Sequence, residues 1–129
     1  MDLNEYQDAA QLTAMDPNVL LTVSDHPDQT DYKHIHDGDW VYVALGLGSE
    51  VGELQGILKK VIRDNKGFVS PEDRERLKLE LGDVLWYVNL IAAACGCELD
   101  AVARGNIDKL LKRYPGEGFD AACSITREV

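Results

Sequence analysis

The chain has 129 residues and a mass of 14.3 kDa, with 45% hydrophobic and 28% charged residues, so we expect one compact domain over residues 1–129. Its formal net charge is −10 and its pI is near 4.6, which argues against a protein that binds nucleic acid or an anionic membrane through a basic surface. The acidity is uneven, because residues 1–39 hold nine acidic residues and one basic residue. The rest of the chain is close to balanced.

Membrane insertion and secretion are disfavoured by the sequence. No segment is long and apolar enough to span a bilayer, and the N-terminus lacks the basic and apolar regions of a signal peptide. The three cysteines, Cys95, Cys97 and Cys123, are an odd number without C-x-x-C spacing, which favours reduced thiols over a disulfide framework. We therefore expect a cytoplasmic protein with neither a membrane nor a nucleic acid as its partner.

The N-terminal third is predicted to contain one short helix and one long loop. Leu3 to Ala14 has helical spacing of its apolar residues and ends at the turn Asp16-Pro17. Residues 16–39 carry six Asp and three His with little periodicity, so they predict a long acidic loop, with one short extended piece at Val19 to Val23. A loop of this length in a small domain is either functional or mobile.

Three further helices are predicted in the rest of the chain. Residues 39–64 and 70–96 have apolar residues at steps of three, four and seven, which is typical of amphipathic helices. Ser70-Pro71 supplies an N-cap and a first-turn proline for the second of these. A last helix over residues 99–114 precedes a tail at 116–129. This order predicts an all-α, four-helix-bundle-like domain.

Two acid-x-x-acid pairs lie in the two long predicted helices, Glu50 with Glu53 and Glu80 with Asp83. Positions i and i+3 share one face of a helix, so each pair presents two carboxylates side by side. Both pairs lie on otherwise apolar faces, since Glu50 is about 40° from Leu54 around the helix. Such carboxylates are costly to bury unless something positive lies between them.

A divalent cation would resolve this repulsion if the two helices pack antiparallel and the four carboxylates meet. Mg²⁺ in proteins commonly shares its remaining positions with water and substrate phosphates. A di-iron carboxylate bundle is the competing interpretation, but it normally needs Glu-x-x-His. None of His26, His34 and His36 follows a Glu at that spacing, so redox iron is disfavoured.

The sequence Glu50-Val51-Gly52-Glu53, a 26-residue gap and Glu80-Leu81-Gly82-Asp83 resembles the E-x-x-E and E-x-x-D signature of MazG-like all-α nucleoside triphosphate pyrophosphohydrolases. The likeness covers roughly residues 3–115, and the Asp/His-rich segment 16–39 departs from it. Further similar residues are Tyr6-Gln7, Thr13, Gly46-Leu47, Asn106, Lys109-Leu110 and Arg113-Tyr114-Pro115.

The resemblance implies hydrolysis of a nucleoside triphosphate between the α and β phosphates, giving the monophosphate and pyrophosphate, with Mg²⁺ or Mn²⁺ as cofactor. It implies that Glu50, Glu53, Glu80 and Asp83 hold the metal, which would lower the pKa of an attacking water. Glu53 is the residue that we predict to orient that water. The resemblance also implies a homodimer or homotetramer, which would complete a site that opens between helices.

Candidate phosphate-binding residues lie in two of the predicted helices. Asn106, Lys109 and Arg113 share one face of the last helix, and this face is predicted to clamp the outer phosphates. Basic residues at a helix C-terminus also stabilise the helix by themselves, which is the alternative explanation. Lys60, two turns beyond Glu53, is a further candidate.

Trp40 is the candidate residue for stacking on a base. With the first helix it would form one side of a roomy pocket, which suggests a purine deoxynucleotide such as dGTP. The alternative from another functional class is a non-catalytic helical assembly module that uses the carboxylates for a structural cation.

Overall fold

The computed structural model describes residues 1–13, 24–26, 29–34 and 37–114, and from residue 24 to residue 40 it describes the backbone only. The elements in this part of the chain are, in order, α1 (Leu3–Thr13), β1 (Ser24–His26), β2 (Gln29–His34), α2 (Asp37–Asn65), α3 (Pro71–Ala94) and α4 (Leu99–Arg113). The four predicted helices are all present, and the all-α prediction is confirmed. The predicted extended piece at Val19 to Val23 and the tail at 116–129 lie outside the described residues.

The prediction of a continuous loop over residues 16–39 is wrong in part. β1 and β2 form an antiparallel pair with Ser24 opposite His34 and Asp25 opposite Lys33, and the register is irregular after Asp25. α2 also begins inside this segment, at Asp37. The sequence did not reveal the hairpin because short antiparallel strands pair through backbone hydrogen bonds, which need no alternation of apolar side chains.

α1 is held at both of its ends. At the start, Glu5 N donates to Asp2 Oδ1 at 2.8 Å and Asp2 N donates to Glu5 Oε2 at 2.9 Å, a reciprocal capping box. At the other end, Trp86 Nε1 of α3 donates to Thr13 Oγ1 at 2.9 Å. This hydrogen bond connects the C-terminal end of α1 to α3.

The turn between α2 and α3 reverses the chain direction. Lys66 and Gly67 both have positive φ, at 53° and 88°, and Gly67 N donates to the Val61 carbonyl at 3.1 Å, which closes the end of α2. Ser70 Oγ then accepts from Asp73 N at 3.0 Å and caps α3, as predicted from the Ser-Pro pattern. α3 therefore starts beside the end of α2.

The core lies between these two long helices. Val43 and Leu90 are buried against each other, and Trp86, Tyr87 and Ile91 pack around them. Val43 lies near the start of α2 and Leu90 near the end of α3, so the helices run antiparallel. This antiparallel packing is the arrangement in which the acid pairs of α2 and α3 can face each other.

The apolar stripe predicted on α2 is buried only in part. Val43 and Val61 are 1% and 4% exposed, whereas Leu58 and Ile62 are 42% and 69% exposed. The difference arises because α3 covers one arc of α2, while the apolar stripe is wider than that arc.

The turn between α3 and α4 is held by a side chain from α1. Gln7 is buried; its Nε2 donates to the Cys97 carbonyl at 3.1 Å and its Oε1 accepts from Leu99 N at 3.0 Å. The N-cap residue Glu98 makes no side-chain capping bond, so Gln7 caps α4 in its place. These two bonds join α1 to the turn after α3 and to the first residue of α4.

Two expectations from the sequence, one for the cysteines and one for membrane-spanning segments, can be compared with the described residues. Cys95 and Cys97 are free and exposed, while Cys123 lies outside the described ranges. No single helix within these ranges is long and apolar enough to cross a membrane. α3 and α4 meet the length and composition criteria only when they are taken together, and the chain bends by 100° between them.

Gln7→Ala is expected to lower the free energy of unfolding by about 2 kcal/mol, because it leaves the buried Leu99 N–H and the Cys97 carbonyl without partners. Chemical denaturation followed by circular dichroism measures this change. The matched control is Gln11→Ala, one turn later on α1, where the side chain is exposed and the change should stay within about 0.5 kcal/mol. Equal effects of the two substitutions would contradict the capping role of Gln7.

Candidate active site

Three carboxylates from two helices meet where α2 and α3 pack together. Glu50 comes from α2, Glu80 and Asp83 come from α3, and one oxygen from each lies within 4.8 Å of the others. We call this group the acidic cluster. It contains three of the four residues predicted to hold a metal, and the antiparallel packing of the long helices places them opposite each other.

The electrostatics of the acidic cluster are those of like charges held together. Partial burial raises the pKa of Glu50, and the charges of Glu53, Asp83 and Glu80 raise it further. Among the residues that the structure describes, no hydrogen-bond donor or basic side chain pairs with any carboxylate of the cluster. Within the described residues, the negative charge of the cluster is therefore not balanced by a neighbouring base.

Glu53, the fourth predicted ligand, does not belong to the cluster. Its side chain is exposed, one helical turn beyond Glu50 on α2. The two carboxylates are near enough for the charge of Glu53 to raise the pKa of Glu50. Glu53 is thus placed at the edge of the acidic cluster and open to solvent.

Tyrosine side chains border the acidic cluster, and the sequence analysis gave them no role there. The pKa of Tyr87 is raised by burial, by a hydrogen bond to Tyr42 and by the charges of Glu50 and Asp83. The pKa of Tyr6 on α1 is raised by burial and by the charge of Asp83. The signal for Tyr87 was its spacing of four residues from Asp83, which puts both on one face of α3.

The predicted phosphate-binding residues are not brought to the acidic cluster within one chain. Lys60 is exposed and lies ten residues beyond Glu50, about 15 Å along the axis of α2. On α4, Asn106 and Lys109 are exposed and Arg113 is half-buried. In the part of the chain described here, no hydrogen bond or ion pair links these residues to the cluster.

Trp40, the predicted stacking residue, lies in the first turn of α2. Its side chain is outside the described part of the structure, so its predicted contact with a base stays a prediction.

The acidic cluster fits a hard divalent cation. Its oxygens come from carboxylates, which are ligands that Mg²⁺ and Mn²⁺ accept. The oxygens are close together, and the structure gives them no competing partner among its described side chains. A cation at this point would relieve the repulsion that, in addition to burial, raises the pKa of Glu50.

Glu50→Gln is expected to raise the free energy of unfolding in chelator by roughly 0.5 kcal/mol, because each like-charge neighbour on a helix costs up to about that amount. The matched control is Glu75→Gln, at an exposed position of α3 where the carboxylate pairs with Lys78 at 3.6 Å. Glu75→Gln should leave the free energy of unfolding unchanged or slightly lower. If Glu50→Gln behaves like the control, the carboxylates of the cluster do not repel each other.

The stability of the cation-free protein should also depend on pH through Glu50. Since the folded chain raises the pKa of this carboxyl, folding favours its protonated form. Stability should then fall as the pH rises from the ordinary glutamate pKa through the raised value. Denaturation curves measured over this pH range in chelator give the free energy of unfolding at each pH. This free energy should fall less for Glu50→Gln than for the wild type.

The chain resembles known proteins over the segment that contains the acidic cluster. Residues 42–117, more than half of the chain, match the model of the MazG nucleotide pyrophosphohydrolase domain. The chain is similar to the Gene 37 protein of Mycobacterium phage L5, with 42% identity over 72 residues, which are 56% of this chain and 63% of that relative. The chain thus spans less than two thirds of the length of the phage protein.

A second relative is the dCTP pyrophosphatase 1 of Bos taurus, with 28% identity over 120 residues, covering 82% of this chain and 71% of the bovine protein. No solved structure matches the chain at a significant level. The matched segment contains the whole acidic cluster, all of α3, and α2 from residue 42 onward. The chain therefore belongs to the MazG nucleotide pyrophosphohydrolase family.

Proposed function

We propose that the protein hydrolyses nucleoside triphosphates between the α and β phosphates, releasing the nucleoside monophosphate and pyrophosphate in a reaction that needs Mg²⁺ or Mn²⁺. The observation that carries this proposal is the acidic cluster between α2 and α3. It lies inside the segment that matches a nucleotide pyrophosphohydrolase domain.

The charge of the substrate explains why the cluster suits this reaction only with a cation. A triphosphate carries several negative charges, and three carboxylates that have no described partner would repel it. Glu50, Glu80 and Asp83 are the residues that we propose to hold the cation. A divalent cation supplies neutralisation of phosphate oxygens and a more acidic water.

Glu53 is the residue that we propose to orient the attacking water and accept its proton. Two features support this role: the side chain is exposed, and it lies next to the acidic cluster without belonging to it. A carboxylate in this position can accept a hydrogen bond from water while the other three face the cation.

We propose that a homodimer or homotetramer completes the site. Within one chain the polar face of α4, with Asn106, Lys109 and Arg113, makes no described contact with the acidic cluster. Exposed apolar residues on α2, such as Leu45 at 70% and Ile62 at 69%, offer surface for a second subunit. In such an assembly this face of α4, together with Lys60, would bind the outer phosphates.

Deoxynucleoside triphosphates are the substrate class that we propose, in a cytoplasmic nucleotide pool. dGTP is included because α1 and Trp40 are predicted to border a roomy pocket. dCTP is included because the bovine relative is named for it. Hydrogen bonds to the base edge decide between such substrates.

Pyrophosphate release from a panel of nucleoside triphosphates tests the proposal. We expect turnover with Mg²⁺ or Mn²⁺, none in chelator, and the monophosphate as the nucleoside product by chromatography. Release of inorganic phosphate with the diphosphate as product would contradict cleavage between the α and β phosphates. If the cations stabilise the protein but no nucleotide is turned over, the chain is the structural module with a cation site.

Asp83→Asn and Glu53→Gln are expected to reduce kcat at least 100-fold while the chain stays folded, because one removes a proposed ligand and the other the proposed base. The matched control is Asp108→Asn, on the exposed surface of α4, which should keep nearly full activity. Activity near the wild-type rate in Asp83→Asn would refute the cation site. Activity near the wild-type rate in Glu53→Gln would refute only the proposed role of Glu53 in orienting the attacking water.

A further inference from the structure

α4 is attached to the rest of the chain mainly at its first turn. Among the described residues of this helix, Leu99 alone is buried, with 4% of its surface exposed. Later apolar side chains are open to solvent, with Ile107 at 55% and Leu111 at 64%. The chain bends by 100° between α3 and α4, so α4 leaves the axis of α3 at a steep angle. The direction of α4 therefore depends on what holds its first turn.

Two side chains of α1 hold this first turn. Gln7 Oε1 accepts from Leu99 N at 3.0 Å. Asn4 Oδ1 accepts from the next backbone N–H, that of Asp100, at 3.3 Å. Gln7 Nε2 also donates to the Cys97 carbonyl, in the turn before α4, at 3.1 Å. We call these three hydrogen bonds the α1–α4 joint.

The joint is suited to fixing an angle as well as a position. Asn4 and Gln7 are three residues apart, so they lie on one face of α1. Their bonds end on two successive N–H groups of α4, and together they oppose a rotation that either bond alone would permit. α1 is in turn held to α3, since Trp86 Nε1 donates to Thr13 Oγ1. α1 thus connects α3 to the first turn of α4.

The candidate phosphate-binding residues lie far along α4 from the joint. Lys109 is ten residues after Leu99, which is about 15 Å along the helix axis. A tilt of α4 by about 10° at its first turn would therefore move Lys109 by about 2.5 Å. Misplacement of a group by about 1 Å is enough to cost an enzyme about 100-fold in rate. Small changes at the joint are thus large changes at the polar face of α4.

We propose that Asn4 and Gln7 are positioning residues for the substrate: through the α1–α4 joint they set the direction of α4, and with it the place of its polar face, Asn106, Lys109 and Arg113, on the outer phosphates. The inference rests on the proposed function, because it takes this face as the part of the completed site that binds those phosphates. The acidic cluster is built by α2 and α3 alone, so the joint has no part in holding the cation.

Steady-state kinetics of the full chain, with the best deoxynucleoside triphosphate of the panel, test this role. Asn4→Ala and Gln7→Ala should each raise KM about tenfold and change kcat less than about threefold, because contacts to the outer phosphates contribute binding that is shared by ground state and transition state. The matched control is Thr13→Val, which removes the bond from the other end of α1 to Trp86 and leaves the joint in place. Its KM should stay within about twofold of the wild type.

Two further measurements separate positioning from a loss of stability. In a double-mutant cycle, Asn4→Ala should raise KM less than about threefold in a chain that already carries Lys109→Ala, because the joint acts through the face that Lys109 belongs to. Binding of Mn²⁺ without substrate, measured by electron paramagnetic resonance of the free ion, should be unchanged in Asn4→Ala. Asn4 is half-buried, so Asn4→Ala should fold, and circular dichroism verifies this.

Unchanged KM in both Asn4→Ala and Gln7→Ala would show that the joint only stabilises the fold, and the inference would be wrong. Equal effects of Asn4→Ala with and without Lys109, or a loss of Mn²⁺ affinity in Asn4→Ala, would also overturn it, because they indicate a general loosening of the chain. These results leave the proposed function intact. Absence of turnover in the wild type overturns the proposed function and the inference with it.

Discussion

The mutual repulsion of three carboxylates is the constraint on which the account depends. One oxygen each of Glu50, Glu80 and Asp83 lies within 4.8 Å of the others without a described partner, and burial together with the neighbouring carboxylate charges raises the pKa of Glu50. Like charges held this close add nothing to stability, and a ligand of opposite charge would relieve their repulsion. The family that the chain belongs to acts on nucleotides. The negatively charged phosphates of a nucleotide also need a positive charge beside them.

The rest of the fold holds the two long helices in the register that the acidic cluster requires. The turn at Lys66 and Gly67 reverses the chain, and the missing side chain at Gly46 leaves room on α2 for the Tyr87 ring of α3. α1 adds hydrogen bonds at two places, between Thr13 and Trp86 of α3 and between Gln7 and the start of α4. Repulsion at the cluster is therefore opposed by contacts that lie some distance from it.

Much of the helical framework was predictable, because its signals are local. Helical periodicity and the Ser70 cap placed α3. The spacing of the acid pairs predicted that four carboxylates meet, and three of them, Glu50, Glu80 and Asp83, lie together in the structure. Contacts between elements were not predictable in this way: nothing near Gln7 in sequence shows that it caps α4, and nothing near Gly46 shows that Tyr87 lies against it. Glu53 has the same local signal as Glu50, and only the packing of α2 shows that it faces solvent.

The most direct test of the central claim is a crystal structure grown with Mn²⁺ and examined by anomalous diffraction. The account predicts an anomalous peak between Glu50, Glu80 and Asp83, with carboxylate oxygens at about 2.1 Å from the ion. A fully ordered site with no peak there, or with the ion bound only elsewhere, would contradict it.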